Sequence, residues 1–519
     1  MSPLPRTTPI IVGVGEVKNK SLHLNDAIEP ADLMVSAIRK AFKDTGASEN
    51  DIRLAIDSLL VVPPWTWPYV DLPGVISKKV GLSPSYCQVG VHGGHQPNEW
   101  CDEAARRVSR GESKAVIITG GEALASLAAC GKAGKIPPPG WTEPDPKKQP
   151  VRVGDLSARE QNIGTKHSIG LPIHIYPMYE NSLRAYTRQS FEKNTVDSAQ
   201  LYEAFDKISC QREYSWRNGE VPRNAKEIRT VTKKNRMICS PYPLLMNAFN
   251  TVNLAAACLI TSIEQAENLG IPKEKWVYIL GGAGTHERKN FWERSSFHSS
   301  RAMEQALDAA LEVSGVIKDE IDAFDIYSCF PIVPKLACRH LGLDVVTPSK
   351  PITLLGGLNS FGGAGNNYSM HALAEMTRQV RSGSFQKGLV LANGGMLSHQ
   401  YAVCLSSEPR KDKDVYPKQN PLPEIAIGEA WATPFTEVAQ GTAFIETYTV
   451  EYKRDGQPRI GLIVGRLKDS GHRFLANHGD EYTLQKLADP SWEPISQQGR
   501  VSGSDDGRNL FFFSTESKI

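Results

Sequence analysis

The chain has 519 residues, 40% of them hydrophobic and 22% charged, with a formal net charge of +2. This length allows about two to four domains around a large core, and the near-balanced charge gives no electrostatic reason to expect nucleic acid or an acidic membrane surface as partner. No apolar run reaches the ~18 residues of a membrane span, and the nine cysteines stand singly, without a C-x-x-C or a Cys/His cluster, which excludes zinc motifs and a disulfide framework and points to a reducing compartment.

The N-terminal MSPLPRTTPIIVGVG lacks the basic-then-apolar pattern of a secretory leader. Pro9 to Val14 is an apolar, β-branched run suited to a buried strand, and Gly13-x-Gly15 is a weak nucleotide signal without a third glycine or an acidic partner. Pro30 to Phe42 predicts an amphipathic helix with Leu33, Ala37, Ile38 and Ala41 on one face, closed by Gly46. Asp57 to Val62 predicts a strand stopped by Pro63-Pro64. Gln88 to Glu122 reads as a strand, a glycine corner, a helix and a second strand from Lys114 to Thr119; Pro97 suits the first turn, Arg106, Arg107 and Arg110 the last, and Gly111 the end. Such a corner aims backbone N–H groups at a pocket, a good place for a nucleophile or an anion.

Ala123 to Pro241 reads as an insertion, proline-rich and surface-lying over Ile136 to Pro150 and helical over Tyr176 to Trp216. Met246 to Glu267 predicts a buried helix-to-strand transition. The opening series then returns in order: Val277 to Gly282 answers the first strand, Arg301 to Leu311 the first helix, Glu320 to Phe330 the stretch from Asp51 to Val61, and Gly388 to Gly395 that from Ala115 to Gly121, with Gly356 to Gly365 opening a helix between. Repetition of whole units predicts a duplicated α/β fold with mostly parallel strands. Glu408 to Pro423 is charged and proline-rich, a linker, after which alternating runs at Ile445 to Tyr452, Arg459 to Leu467 and Asn509 to Ser514 predict a small β-barrel.

In this order and spacing the chain resembles a thiolase over about Ile10 to Ser407. Tyr327-Ser328-Cys329-Phe330 is similar to the His-Asp-Cys-Phe loop of sterol-carrier-protein-type thiolases, and Gly356-Gly357-Leu358 with Gly362-Gly363-Ala364 to their Gly-Gly-Leu…Gly-His-Pro loop. ETYTVEYKRDG and GHRFLAN resemble the added C-terminal domain of the thiolase-like protein type 1 group. The resemblance implies two similar α/β halves in α-β-α-β-α layers plus a small OB-like barrel. Its segments are an N-terminal half over 1–122 and 242–273, an insertion over 123–241, a C-terminal half over 274–407, a linker over 408–423 and a β domain over 424–519.

Thiolase chemistry uses a cysteine that carries the acyl group, a histidine that activates it and a second cysteine that moves a proton. Counting back from Arg110-Gly111, the resemblance puts the nucleophile position at Gly94; Cys101 cannot slide into it, being about 10 Å further along a helix. The histidine position falls on Gly363, or on Asn359 with a gap, and the second cysteine near Ala392. The remaining catalytic candidates are His95 and His399 as proton movers, Tyr327 as a donor in place of the family's Asn or His, and Cys329 beside the site; the bland alternatives are a turn histidine, a pocket-filling phenol and an inert thiol. Gly94, Gly362, Gly363, Asn366, Asn393 and Gly394 are candidates for holding an acyl oxygen. Lys132, Lys135, Lys147 and Lys148 lie in the insertion that contacts coenzyme A in the family.

The expected function is a coenzyme A thioester-dependent acyltransferase that works without the family cysteines, with an acyl-CoA-binding or partner-binding protein as the alternative. Neither a metal nor a bound cofactor is expected; the thioester enters as substrate. The resemblance leaves room for a homodimer. The barrel's mixed charges speak against single-stranded nucleic acid. The terminal Ser517-Lys518-Ile519, one change from Ser-Lys-Leu, predicts a peroxisomal address, with the cytoplasm otherwise.

Overall fold

The computed structural model describes residues 4–148, 160–411, 415–428 and 432–514. Its strands are β1 (Pro9–Lys18), β2 (Ile56–Val62), β3 (Tyr86–Val89), β4 (Ala115–Ala123), β5 (Met237–Cys239), β6 (Tyr242–Pro243), β7 (Asn253–Ser262), β8 (Val277–His286), β9 (Ala323–Ile326), β10 (Lys387–Gly394), β11 (His399–Ser406), β12 (Gly441–Tyr452), β13 (Pro458–Leu467), β14 (Arg473–His478), β15 (Gln498–Gly503) and β16 (Asn509–Phe513).

Nine of them follow one another in the order β3-β2-β4-β7-β1-β8-β11-β10-β9. Read outward from the centre, β1-β7-β4-β2 on one side is answered by β8-β11-β10-β9 on the other, so the repeat legible in the sequence is a duplicated sheet. β2 runs parallel to β3 and β4, and β9 to β10, whereas β7 and β11 return antiparallel. The halves meet at β1 and β8, which pair only at Ile10↔Tyr278 and Ile11↔Val277. β3 has no counterpart in the second half among the described residues.

Side-chain patterning decides the layers. Pro30–Asp44 and Arg301–Ser314 each bury a single stripe (Leu33, Ala37, Ile38, Ala41 and Ala302, Ala306, Leu307, Ala310) and cover the outside of one half each. Gln96–Ser109 and Tyr368–Arg381 are buried nearly all round and touch strands of both halves, which makes them the middle layer. Polar residues survive there because they are paired: Asp102 accepts from Arg106, Tyr401 and Tyr416, and Asn98 donates to Val390 O and Tyr401 O. Gly13 and Gly15 serve packing, since a Cβ there would lie 2.3 Å from Ala41 O and 2.0 Å from Ala37 O. The five layers α-β-α-β-α follow.

The segment after the insertion departs from its sequence reading. Asn253–Ser262 is already strand β7, its small residues letting it lie buried between β4 and β1, and the helix Ile263–Asn268 comes after it rather than before. The insertion carries helices Pro172–Tyr186 and Phe191–Gln211.

Strands β12-β13-β14-β16-β15 close on β12 as a barrel, with the helix Glu481–Ala488 between third and fourth strands, the OB order. Ile445, Tyr448, Ile463, Phe474, Phe511 and Leu484 fill it. The insertion is sewn to it: Ser240 N donates to Val450 O at 2.9 Å, Thr447 Oγ1 to Met178 O at 2.6 Å and Asn181 Nδ2 to Tyr448 O at 3.0 Å. Arg473, fully buried, reaches from the barrel to Trp292 O at 2.7 Å and to Arg294 O while pairing with Glu446. Residues 415–423 are also tied down, with Tyr416 buried against Asp102 and Asn420 bonded to Gly284. Ser517-Lys518-Ile519 lies outside the described residues.

Candidate functional site

The corner between β3 and the Gln96–Ser109 helix faces the end of β10 and the loop after β9. Gly94 sits at its tip with no room for a side chain: a Cβ would lie 2.5 Å from Asn393 O and 2.9 Å from both Cε2 and the hydroxyl of Tyr327. The Tyr327 ring, 7% exposed, occupies the space a Gly94 side chain would enter, held edge-on against Tyr368 at 5.5 Å. Burial pushes its phenol well above the usual range, so it is a neutral donor at any physiological pH.

His95 heads the helix and is 6% exposed, fitted between Gly93 and Gly394, where a Cβ would meet its ring at 2.4 and 2.1 Å respectively. Its ring stacks on His399 at 4.8 Å, and His399 lies 4.7 Å from His286, its ladder partner in β8. Burial, then the neighbouring His399, His286 and His92, hold the His95 pKa down at about 3; burial and His286 hold His399 at about 4. Both imidazoles are neutral at pH 7. Nδ1 of His95 is buried without a hydrogen-bond partner, and Nδ1 of His399 meets Ser398 Oγ at 2.9 Å.

Cys329 is brought beside the corner, as its loop position implied, under Tyr176 and Asn393; burial lifts its thiol to about 12. Asn393 is fully engaged: its amide donates to Tyr176 O–H at 2.8 Å and its carbonyl accepts from Gln400 at 2.7 Å. Gly394 O accepts from Ser398 N. The other glycine loop is tied differently. Gly363 N donates to Phe249 O at 2.7 Å, and Asn366 accepts from the Trp65 indole at 2.7 Å while donating to Pro63 O at 2.9 Å; Gly362 takes a φ of +116°. The structure therefore gathers His95, Tyr327, Cys329, His399, Gly94, Asn393 and Gly394 at one place, with Gly362, Gly363 and Asn366 in the neighbouring loop.

Residues not singled out from sequence complete the picture. His286, Tyr176 and Gln400 support the candidates from β8, the insertion and β11. Glu122, at the end of β4, is buried and accepts from Trp65 N, Thr66 N and Ala123 N; burial raises its carboxyl to about 7. Beside it opens a surface cleft lined by Trp65, Trp67, Tyr69, His92 and Lys148, with the Trp65 and His92 rings stacked at 5.4 Å. Lys148 lies 3.5 Å from Asp145, while Lys132 and Lys135 are exposed. Among the described residues no group of three or more His, Cys, Asp or Glu side chains is placed to hold a metal ion, and no helix is long and apolar enough to cross a membrane.

The model of the "thiolase-like protein type 1 additional C-terminal domain" matches residues 421–507. A monomeric SCP2-thiolase-like protein type 1 from Mycobacterium smegmatis is 30% identical, with 98% of this chain and 100% of that chain covered and a TM-score of 0.80. Human mitochondrial 3-ketoacyl-CoA thiolase in complex with CoA is 15% identical over 78% of this chain and 100% of its own, at a TM-score of 0.56. The dimeric peroxisomal thiolase of Saccharomyces cerevisiae is 13% identical over 78% and 99%, also at 0.56. At those identities the two thiolases speak for the fold alone. No curated protein matches the sequence.

Proposed function

The chain belongs to the SCP2-thiolase-like protein type 1 family, and from that premise we propose that it binds an acyl thioester of coenzyme A without carrying the acyl group on a cysteine. The observation that supports this reading is the corner itself: Asn393 O and Tyr327 fill the space that a Gly94 side chain would need. A thiol at this tip is the centre of thiolase chemistry, and the cysteine beside it, Cys329, is buried with its pKa raised to about 12, which leaves almost no thiolate at pH 7.

Acyl transfer without a covalent step is the second reading, and one observation favours it: the unpartnered Nδ1 of His95 in a buried setting. Against it stands the weakness of a base whose pKa is about 3, far below the range matched to a reaction at pH 7. We carry over monomeric assembly from the relative, described as monomeric, so the homodimer for which the resemblance left room finds no support. The peroxisomal address stays part of the proposal through Ser517-Lys518-Ile519.

Titration calorimetry with acetyl-CoA and longer acyl-CoAs, run beside product analysis by mass spectrometry, tests the proposal. Saturable binding with intact thioester is expected. Acyl transfer that disappears in His95→Gln would establish the second reading instead. Absence of both binding and turnover for every thioester would overturn the proposal.

A further inference from the structure

Three imidazoles from three separate segments stack in a row behind the corner. His95 comes from the N-terminal half, His399 begins β11, and His286 ends β8; the ring centroids are 4.8 and 4.7 Å apart. The outer ring is tied to the lead-in of the barrel domain: His286 N donates to Glu424 O at 3.0 Å, Ala426 N donates to His286 O at 2.8 Å, and His286 forms a bridge with Ile425. Its Nε2 lies 3.5 Å from the exposed carboxylate of Glu424. The row thus runs from a solvated acid to a buried ring and joins both halves to the lead-in.

The charged and titratable groups facing the row are few. Glu99, on the same helix, lies 3.6 Å from His95 Nε2, and His92 approaches from the corner. Arg294, from the segment after β8, opposes a charge on His399, and Glu424 favours one. The positive end of the Gln96–Ser109 helix also disfavours a cation at His95. Glu287, the buried carboxylate that follows His286, accepts from Ser300 Oγ at 2.8 Å and lies 3.8 Å from Arg294.

We infer that the row is a pH-sensitive clasp, which holds the two halves and the barrel lead-in together while His95 and His399 are neutral and parts when they are protonated. Opening solvates His95 and His399 and returns them toward an ordinary histidine pKa of 6.5, whereas packing holds His95 at about 3 and His399 at about 4. His399 alone then favours the open form about 30-fold more at pH 5.0 than above pH 7. The clasp does not depend on the thioester reading, because it is a property of the unliganded chain.

Hydrogen–deuterium exchange on the full chain at pH 7.5 and 5.0, corrected for the intrinsic pH dependence of exchange, tests it. Segments 93–99, 283–287, 398–403 and 424–428 are expected to lose protection at least about 30-fold at pH 5.0, with β13 and β14 unchanged. His399→Gln should remove the roughly 30-fold share that His399 contributes and leave the share of His95. Unchanged protection, a loss spread evenly over the chain, or an undiminished response in His399→Gln would overturn the clasp. If that variant does not fold, histidine NMR on the wild type decides: His399 titrating near 6.5 without local opening overturns it, and a depressed titration coupled to opening supports it.

Discussion

Gly94→Ala adds one methyl group where two fixed objects already stand. The new Cβ meets Asn393 O at 2.5 Å and the Tyr327 ring and hydroxyl at 2.9 Å, each well inside ordinary contact distance. Asn393 O belongs to the strand backbone of β10, so it cannot swing away, and Tyr327 is packed against Tyr368. Overpacking of this kind costs about 1–3 kcal/mol, and backbone involvement puts Gly94→Ala near the upper end. Gly131→Ala is the matched control: a helical glycine with open space where the Cβ goes, expected neutral or stabilising by up to about 1 kcal/mol. In a Tyr327→Ala background only the Asn393 clash remains, so the cost of Gly94→Ala should fall by about 1 kcal/mol, a coupling read from a double-mutant cycle. Urea unfolding of the four proteins measures it. A Gly94→Ala variant within about 0.5 kcal/mol of wild type, or one equally costly in both backgrounds, would refute the packing argument.

Three further outcomes follow from buried charge and thiol chemistry. Asp325 accepts from Leu354 N, Leu355 N and Thr353 Oγ1 through one oxygen, and burial raises its pKa from 3.8 to about 6. A carboxyl raised on folding favours the folded state below pH 3.8 and loses that advantage as pH climbs through 6. Asp325→Asn can keep the bonded oxygen and should therefore match wild type near pH 4 and exceed it by about 2–3 kcal/mol at pH 8 in urea unfolding. Arg473→Ala removes the donor to Trp292 O and one of the donors to Arg294 O, while Glu446 keeps Arg466 and Arg294 O keeps Thr433, so barrel docking should weaken by about 1–3 kcal/mol, seen as a separate early transition in calorimetry. Iodoacetamide under native conditions should label exposed Cys87 and spare Cys329; peptide mapping that finds Cys329 labelled at a similar rate would contradict its burial.

Elements whose chemistry is periodic were legible in the sequence, and contacts between distant segments were not. The stripe of Leu33, Ala37, Ile38 and Ala41, its echo at Ala302, Ala306 and Leu307, and the alternation from Ile445 to Tyr452 each repeat with the period of their own element. The Met246 to Glu267 stretch misled because Ala255, Ala256 and Ala257 suit a helix by propensity but lie in a strand pressed between β4 and β1. No local pattern marks Tyr416 as the partner of Asp102, or His286 as the third ring behind His95, since each pairing is made by the fold alone. Residues 408–423 have the composition of a free linker, yet buried Tyr416, bonded to Asp102, pins 415–423 to the middle layer.

The same distinction bears on how the corner is understood. A site that had only exchanged a reactive side chain for glycine would keep a void of that side chain's size, and such voids cost stability. Here the space is taken: Tyr327 lies over Gly94, Asn393 is committed to Tyr176 and Gln400, and His95 is wedged between Gly93 and Gly394. Gly94 and Tyr327 are thus coupled, because the ring, together with Asn393 O, lies where any side chain at 94 would have to go. A cysteine placed at 94 would have to displace both Tyr327 and the β10 backbone before its sulfur reached any substrate. Gly94→Cys alone should therefore gain no acyl-enzyme on incubation with acetyl-CoA, by intact-protein mass spectrometry, and a stable acetyl adduct at residue 94 in that single variant would show that the corner retains room the packing denies it.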